Sequence, residues 1–163
     1  MEWTGGKDLE LIYRGTRDGM NDKSFYDKCS NKGPTITLIK NDKDNIFGGY
    51  SSISWKLSDQ NKDYSAPDSF IFTLTNIFNI EPTKFPSKND KHEIRCCINR
   101  GPCFGNGTDL GVKADFLNSG FWSNFPFTFL DKTGKGRTIF TGDPDNAGQD
   151  CEMKEIEVLQ LIK

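Results

Sequence analysis

Apolar residues recur at every second position over much of the chain. In "LELIYRG", Leu9, Leu11 and Tyr13 alternate with Glu10, Ile12 and Arg14, the period of a half-buried strand. "SFIFTLTNIF" (69–78) sets Phe70, Phe72 and Leu74 against Ile71, Thr73 and Thr75. "TITLIK" (35–40) and "IFGGYSSISW" (46–55) read as two strands folded back on each other through the polar turn "NDKDN". "HEIRCCINRGPCFGNGTDLGV" reads as strand, glycine-rich turn, strand, and "CEMKEIEVLQLI" as a closing strand. A short strand is expected at "TIF" (138–140), followed by the turn "TGDPDNAGQD". Residues 58–68 and 79–91 are polar and carry prolines, so both read as loops.

A 3.6-residue period shows in one place. In "NDKSFYDKCSNKG", Asn21 or Asp22 can cap a helix, Phe25 and Cys29 share a face, and Gly33 stops it. Pro34 then blocks continuation. Asp18-Gly19 marks a tight turn ahead of this helix. No βαβ alternation appears. The pattern predicts a mainly β (α+β) domain: two packed antiparallel sheets forming a β-sandwich, flanked by a few short helices.

Gly48 and Gly49 interrupt the third apolar segment. Adjacent glycines weaken a strand, so they mark a β-bulge or a close approach between the sheets. Gly19, Gly101, Gly105 and Gly107 are likewise read as structural glycines.

Composition agrees with this reading. Three alanines stand against 13 phenylalanines and 16 glycines, which favours strands and turns over helices. The chain has 163 residues, enough for one domain, here placed over 1–163 with its core about 9–162. Its first strand begins almost at once, as in a domain excised from a longer protein. The formal charge of −2 argues against general nucleic-acid binding. No apolar run is long enough to insert into a membrane, and no basic-then-apolar leader opens the chain. Five cysteines, an odd number, fit a reducing, cytoplasmic location better than a disulfide framework.

Several chemical motifs begin here and fail. "GPCFGNGTDLG" (101–111) lacks the lysine and hydroxyl of a phosphate loop, and its glycine spacing is not that of a dinucleotide fold. Asp143, Asp145 and Gly148 open like a calcium loop, but Ala147 and Lys154 stand where oxygen ligands belong. His92, Cys96, Cys97 and Cys103 contain no CxxC pair, so no metal is assigned. His92 is the only histidine and lies in a polar segment, which leaves acid–base catalysis without its usual agent. No cofactor is called for. The thiols of Cys96, Cys97 and Cys103 are the remaining redox candidates, with Arg95 able to lower a neighbouring pKa.

Six segments carry a resemblance. "YRGTRDG" (13–19), "KGPTITLIK" (32–40), "IFGGYSSISW" (46–55), "SFIFTLTN" (69–76), "GPCFGNGTDLGV" (101–112) and "EIEVLQL" (155–161) occur in the order of a TLDc domain. The chain resembles a short protist-type member, although residues 76–95 and 116–136 depart from the family pattern. The resemblance implies a β-sandwich with no established reaction. It also implies binding to the vacuolar proton pump (V-ATPase), regulation of it, and a part in oxidative-stress resistance.

The leading expectation is therefore a non-catalytic protein-interaction domain, at most peripheral to endomembranes through its partner. The alternatives are a thiol-based antioxidant enzyme and a structural component of a larger cytoskeletal or membrane-associated assembly. Binding candidates are Arg17, Asp18, Trp55, Phe121, Trp122, Phe125 and Phe127. Trp55 also fits a core anchor, Arg17-Asp18 a turn-fixing pair, and the "FWSNFPF" aromatics an exposed apolar patch.

Overall fold

A computed structural model describes residues 2–5, 7–57, 60–118, 120–143 and 151–162. The calcium-like turn, with Asp145, Ala147 and Gly148, lies outside the described residues.

After a 3-10 turn at Glu2–Thr4 the chain runs β1 (Asp8–Arg14), α1 (Gly15–Asp18), α2 (Asp22–Cys29), β2 (Thr35–Asn41) and β3 (Ile46–Ser51). Then follow β4 (Lys62–Tyr64), β5 (Phe70–Thr75), β6 (Thr83–Pro86), β7 (Ile94–Cys96) and β8 (Arg100–Phe104). The last elements are β9 (Leu110–Lys113), β10 (Phe121–Trp122), α3 (Thr138–Thr141) and β11 (Met153–Ile162). They form two antiparallel sheets, ordered β1-β11-β2-β3-β5-β6 and β10-β9-β8-β7-β4. The β-sandwich with few short helices is the fold that the alternating pattern predicts.

Aromatic rings fill the space between the sheets. Trp55 is fully buried, stacks edge-on against Phe25 and Phe104, and donates its indole N–H to Thr35 Oγ1 at 3.0 Å. That bond meets the need of a buried indole. Helix α2 starts where its cap predicts: the Asn21 side chain accepts the Ser24 N–H at 2.9 Å, and Phe25 and Cys29 are both buried. A smaller cluster of Ile36, Phe70 and Phe72 lies apart from this core and packs against Trp3.

Gly48 and Gly49 mark close approaches. A Cβ on Gly49 would lie 2.5 Å from the Phe104 ring, which belongs to the opposite sheet. One on Gly48 would lie 1.8 Å from the Thr37 carbonyl oxygen. Pairing is continuous through both glycines, and the bulge falls earlier, between Ile46 and Phe47.

Four local readings need correction. The stretch 92–112 holds three strands where strand, turn, strand is expected, because β8 (Arg100–Phe104), within the glycine-rich part, is held by backbone pairing with both β7 and β9. Residues 58–68 contain β4, which pairs with β7 through Lys62, Asp63 and Tyr64; three polar residues are too few to show a period. Residues 79–91 contain β6 at the sheet edge, where Pro86 is tolerated and Phe85 is buried. The "TIF" segment forms one turn of helix, α3, closed by Gly142 in the left-handed region at φ 71. Packing of Phe140 against Phe47, Phe85 and Phe125 overrides its β-branched content.

Candidate interaction surface

The turn between β8 and β9 is built around Asp109. This carboxylate is fully buried and accepts the backbone N–H groups of Phe127 at 2.8 Å, Thr128 at 2.9 Å and Phe129 at 3.1 Å. Burial raises its pKa above the ordinary carboxylate value, and the donated hydrogen bonds oppose that rise without cancelling it. Asn124 adds two bonds to the turn, from its backbone N–H to the Thr108 carbonyl and from its side chain to the Gly107 carbonyl. Segment 123–129 is thereby strapped to the turn that resembled a phosphate loop. Gly105, at φ 94, would place a Cβ 2.1 Å from the Asp109 carboxylate. Gly107 faces the Phe127 ring, which a Cβ there would meet at 2.5 Å.

Beside this turn lies a cleft of about 580 Å³ lined by Asn99, Arg100, Thr108, Lys113 and Trp122. The placement of Trp122 in its lining follows from the local sequence. Leu110 and Val112 of β9 belong to the core, while Gly111 between them meets Trp122. A Cβ on Gly111 would lie 2.9 Å from the indole, so glycine there lets the ring lie close to the sheet. The register between β8 and β9 shifts between Arg100 and Cys103, where Pro102 has no N–H to donate. Such bulges re-aim side chains, and the Arg100 guanidinium here sits 4.7 Å from the Trp122 ring centroid.

The sequence-chosen residues separate into two groups. Trp55, Phe121 and Phe125 are buried; Phe121 stacks on Phe47 at 4.9 Å and Phe125 on Phe85 at 4.8 Å. These three serve the core. Trp122 is half-buried in the cleft and Phe127 is 56% exposed, so two aromatics of "FWSNFPF" reach the surface. Arg17 and Asp18 form an ion pair at 2.7 Å in α1. Asp18 also accepts the Arg14 N–H at 2.9 Å, and Gly19 follows at φ 123 as the Tyr13 hydroxyl donates to its carbonyl. That pair fixes the turn. A Cβ on Gly101 would lie 2.7 Å from the Phe116 ring. Arg100, Asp109 and Lys113 were missed, because an isolated charge beside a glycine turn looks like ordinary surface.

All five cysteines are free and buried. The Cys97 and Cys103 thiols are in hydrogen-bond contact. That contact, with Arg95 beside it, draws Cys97 down to about 6. The same contact and full burial push Cys103 well up. Burial first, and then the neighbouring Cys97, raises Cys96. Among the described residues no group of three or more His, Cys, Asp or Glu side chains is placed to hold a metal ion. No described helix is long and apolar enough to cross a membrane.

The family model for the TLDc domain matches residues 1–161. The MTOR-associated protein MEAK7 of Danio rerio is 28% identical over 151 residues, covering 91% of this chain and 31% of that protein. Interferon-induced protein 44 of Homo sapiens is 40% identical over 52 residues, covering 32% of this chain and 12% of that protein. The matched stretches thus cover about a third of the zebrafish relative's length and about an eighth of the human one's.

Proposed function

The chain belongs to the TLDc domain family, and from that premise we propose that it is a non-catalytic docking module whose partner is the V-ATPase. Family membership and a relative named for its association with MTOR support a protein-interaction role. The observation that carries the reading on this chain is the surface joining Phe127 to the Trp122 cleft. There an exposed aromatic and a half-buried one flank a turn held rigid by the buried Asp109. Rigid aromatic anchors beside a cationic group are the chemistry of interface hot spots.

Docking on the pump would give the module its part in oxidative-stress resistance by changing the pump's assembly or activity. Affinity capture from the source cell, with and without ATP, tests this by seeking pump subunits in the recovered material. Their absence under both conditions overturns the V-ATPase assignment.

A further inference from the structure

The outer face of the six-stranded sheet is apolar where a solvated face is expected to be polar. Leu11, Leu159, Ile36, Tyr50 and Phe70 stand in one row across five of its strands, and residues opposite each other on antiparallel strands share a face. Strand β2 shows the inversion. Its Thr37 pairs with Gly49, which faces the other sheet, so Ile36 and Leu38 on either side of it point outward. Gly48 deepens this face. It lies between Leu38 and Phe72 in the register, and a Cβ there would meet the Phe72 ring at 3.2 Å.

One indole covers part of the face. Trp3, in the Glu2–Thr4 turn, stands edge-on to Phe70 at 6.1 Å and tilted to Phe72 at 5.7 Å. Beside the indole a pocket of about 130 Å³ remains, walled by Leu9, Ile36, Phe72, Leu74 and Leu159 among others. Among the described residues none that lines it is charged, and Thr4 supplies its one hydroxyl. Lys84 is held over the Phe70 ring at 4.1 Å. Two depressions adjoin the pocket. Trp3 and Leu74 also line a groove of about 370 Å³ with Glu2 and Pro82. Leu38 leads to another of about 200 Å³, where Lys40, Glu155 and Glu157 are already engaged by Asp44, Thr16 and Arg14 respectively.

Size and chemistry together select the occupant. An apolar cavity of about 150 Å³ holds a benzene-sized group, so this pocket takes a phenylalanine ring or a leucine side chain and no long acyl chain. A charged or hydrogen-bonding group would lose its water there without replacement. Every apolar residue in the lining is buried or half-buried, so the face receives a group and does not itself enter a bilayer. The chain already seats one such side chain, Trp3, from a short turn, and the Glu2–Pro82 groove leaves room for the main chain of a second segment. Given the docking function proposed above, we infer that the pocket beside Trp3 binds a single phenylalanine or leucine side chain of the partner protein, whose backbone lies in the Glu2–Pro82 groove.

The test is a titration of the full chain carrying ¹³C at its Ile and Leu methyls, which places reporters at Leu9, Ile36, Leu38, Leu74 and Leu159. The probes are acetyl-Gly-Phe-Gly-amide, acetyl-Gly-Leu-Gly-amide, acetyl-Gly-Lys-Gly-amide and toluene. The phenylalanine or leucine peptide is expected to shift these methyls, and the lysine peptide is not. Leu159→Phe fills the pocket and should weaken binding about tenfold or more. Leu74→Phe, on a different strand, should do likewise, each spectrum itself reporting whether the variant is folded. No methyl shift at millimolar peptide, equal shifts from the lysine peptide, or unchanged affinity in both variants would each overturn the proposal. Toluene binding with both apolar peptides inert overturns it in favour of a free apolar molecule. Shifts that grow with protein concentration before any probe is added overturn it in favour of a second copy of the chain. Pump subunits recovered by both variants as well as by wild type would sink this inference and leave the docking function standing. Peptide binding that the variants abolish, without subunits recovered by wild type, would do the reverse.

Discussion

The Phe104 ring of one sheet occupies the space that a side chain at Gly49 of the other sheet would need, with 2.5 Å left for a Cβ. The ring is fully buried and stacks against Trp55, so it cannot swing away. Gly49→Ala is therefore an overpacking change, and it should cost about 1–3 kcal/mol in urea unfolding. Gly48→Ala should cost more, because the obstacle is the Thr37 backbone. A loss below about 0.5 kcal/mol for Gly49→Ala, the size of an ordinary surface change, would refute the close approach.

This pair also shows where sequence suffices. Two glycines inside an alternating segment announce a constraint, and the period places them on a strand. Which neighbour imposes the constraint at Gly49 depends on Phe104, more than 50 positions away, and no period carries that. The same limit hides the cleft. Arg100 and Lys113 become opposite only through the bulge at Pro102, and Asp109 is recognisable as an anchor only once residues 127–129 are folded over it. Strand β4 escaped notice because Lys62, Asp63 and Tyr64 are stabilised by pairing with β7 and bury little apolar surface of their own. By contrast β1, β2, β5 and α2 carry their own signals and lie where those signals put them.

Removing the Asp109 carboxylate leaves the N–H groups of Phe127, Thr128 and Phe129 without their acceptor. Each buried unsatisfied group costs about 1–3 kcal/mol. Asp109→Ala should thus lose about 3 kcal/mol or more in equilibrium unfolding and speed amide exchange across residues 123–129. Unchanged exchange there would show that the strap has another anchor.

Asp109 also gives stability a distinctive pH dependence. Its folded pKa is raised by burial, so just above the ordinary value of about 3.9 the folded chain keeps a proton that the unfolded chain has released. This group's contribution therefore becomes more favourable as pH falls through its folded value, and less so as pH rises. Asp18 behaves oppositely. The hydrogen bond from Arg17, then that from the Arg14 N–H, holds its pKa below the ordinary value. Its contribution is present above the ordinary value and is lost as pH falls below it. Relative to Asp109→Asn, the wild type should gain stability as pH is lowered toward about 4. A pH-independent difference would remove the raised pKa.

Cys97 combines a thiol lowered to about 6 with complete burial. Reactivity needs both thiolate and access, and access is missing. Pure protein should consume peroxide no faster than buffer, and Cys97→Ser, Cys103→Ser and Cys96→Ser should not change that. Iodoacetamide should label Cys97 slowly in native protein and quickly in urea. Peroxide turnover that falls in Cys97→Ser would instead establish the thiol-based enzyme.

Phe125 and Phe127 are two residues apart, flank Pro126, and have opposite fates, which makes them a paired test of the docking surface. Phe125 is 3% exposed and packs on Phe85 and Phe140; Phe127 is 56% exposed above Gly107. Phe125→Ala should cost about 3–5 kcal/mol, as buried phenylalanines do. Phe127→Ala should cost under about 1 kcal/mol, since most of its ring already meets water. Partner recovery should follow the other order once the proteins are compared at a temperature where both are folded. Loss of recovery in Phe127→Ala, at near-normal stability, assigns the ring to the interface. A destabilised Phe127→Ala would assign it to holding the 105–109 turn, and a stable variant with full recovery would move the docking face elsewhere on the sandwich.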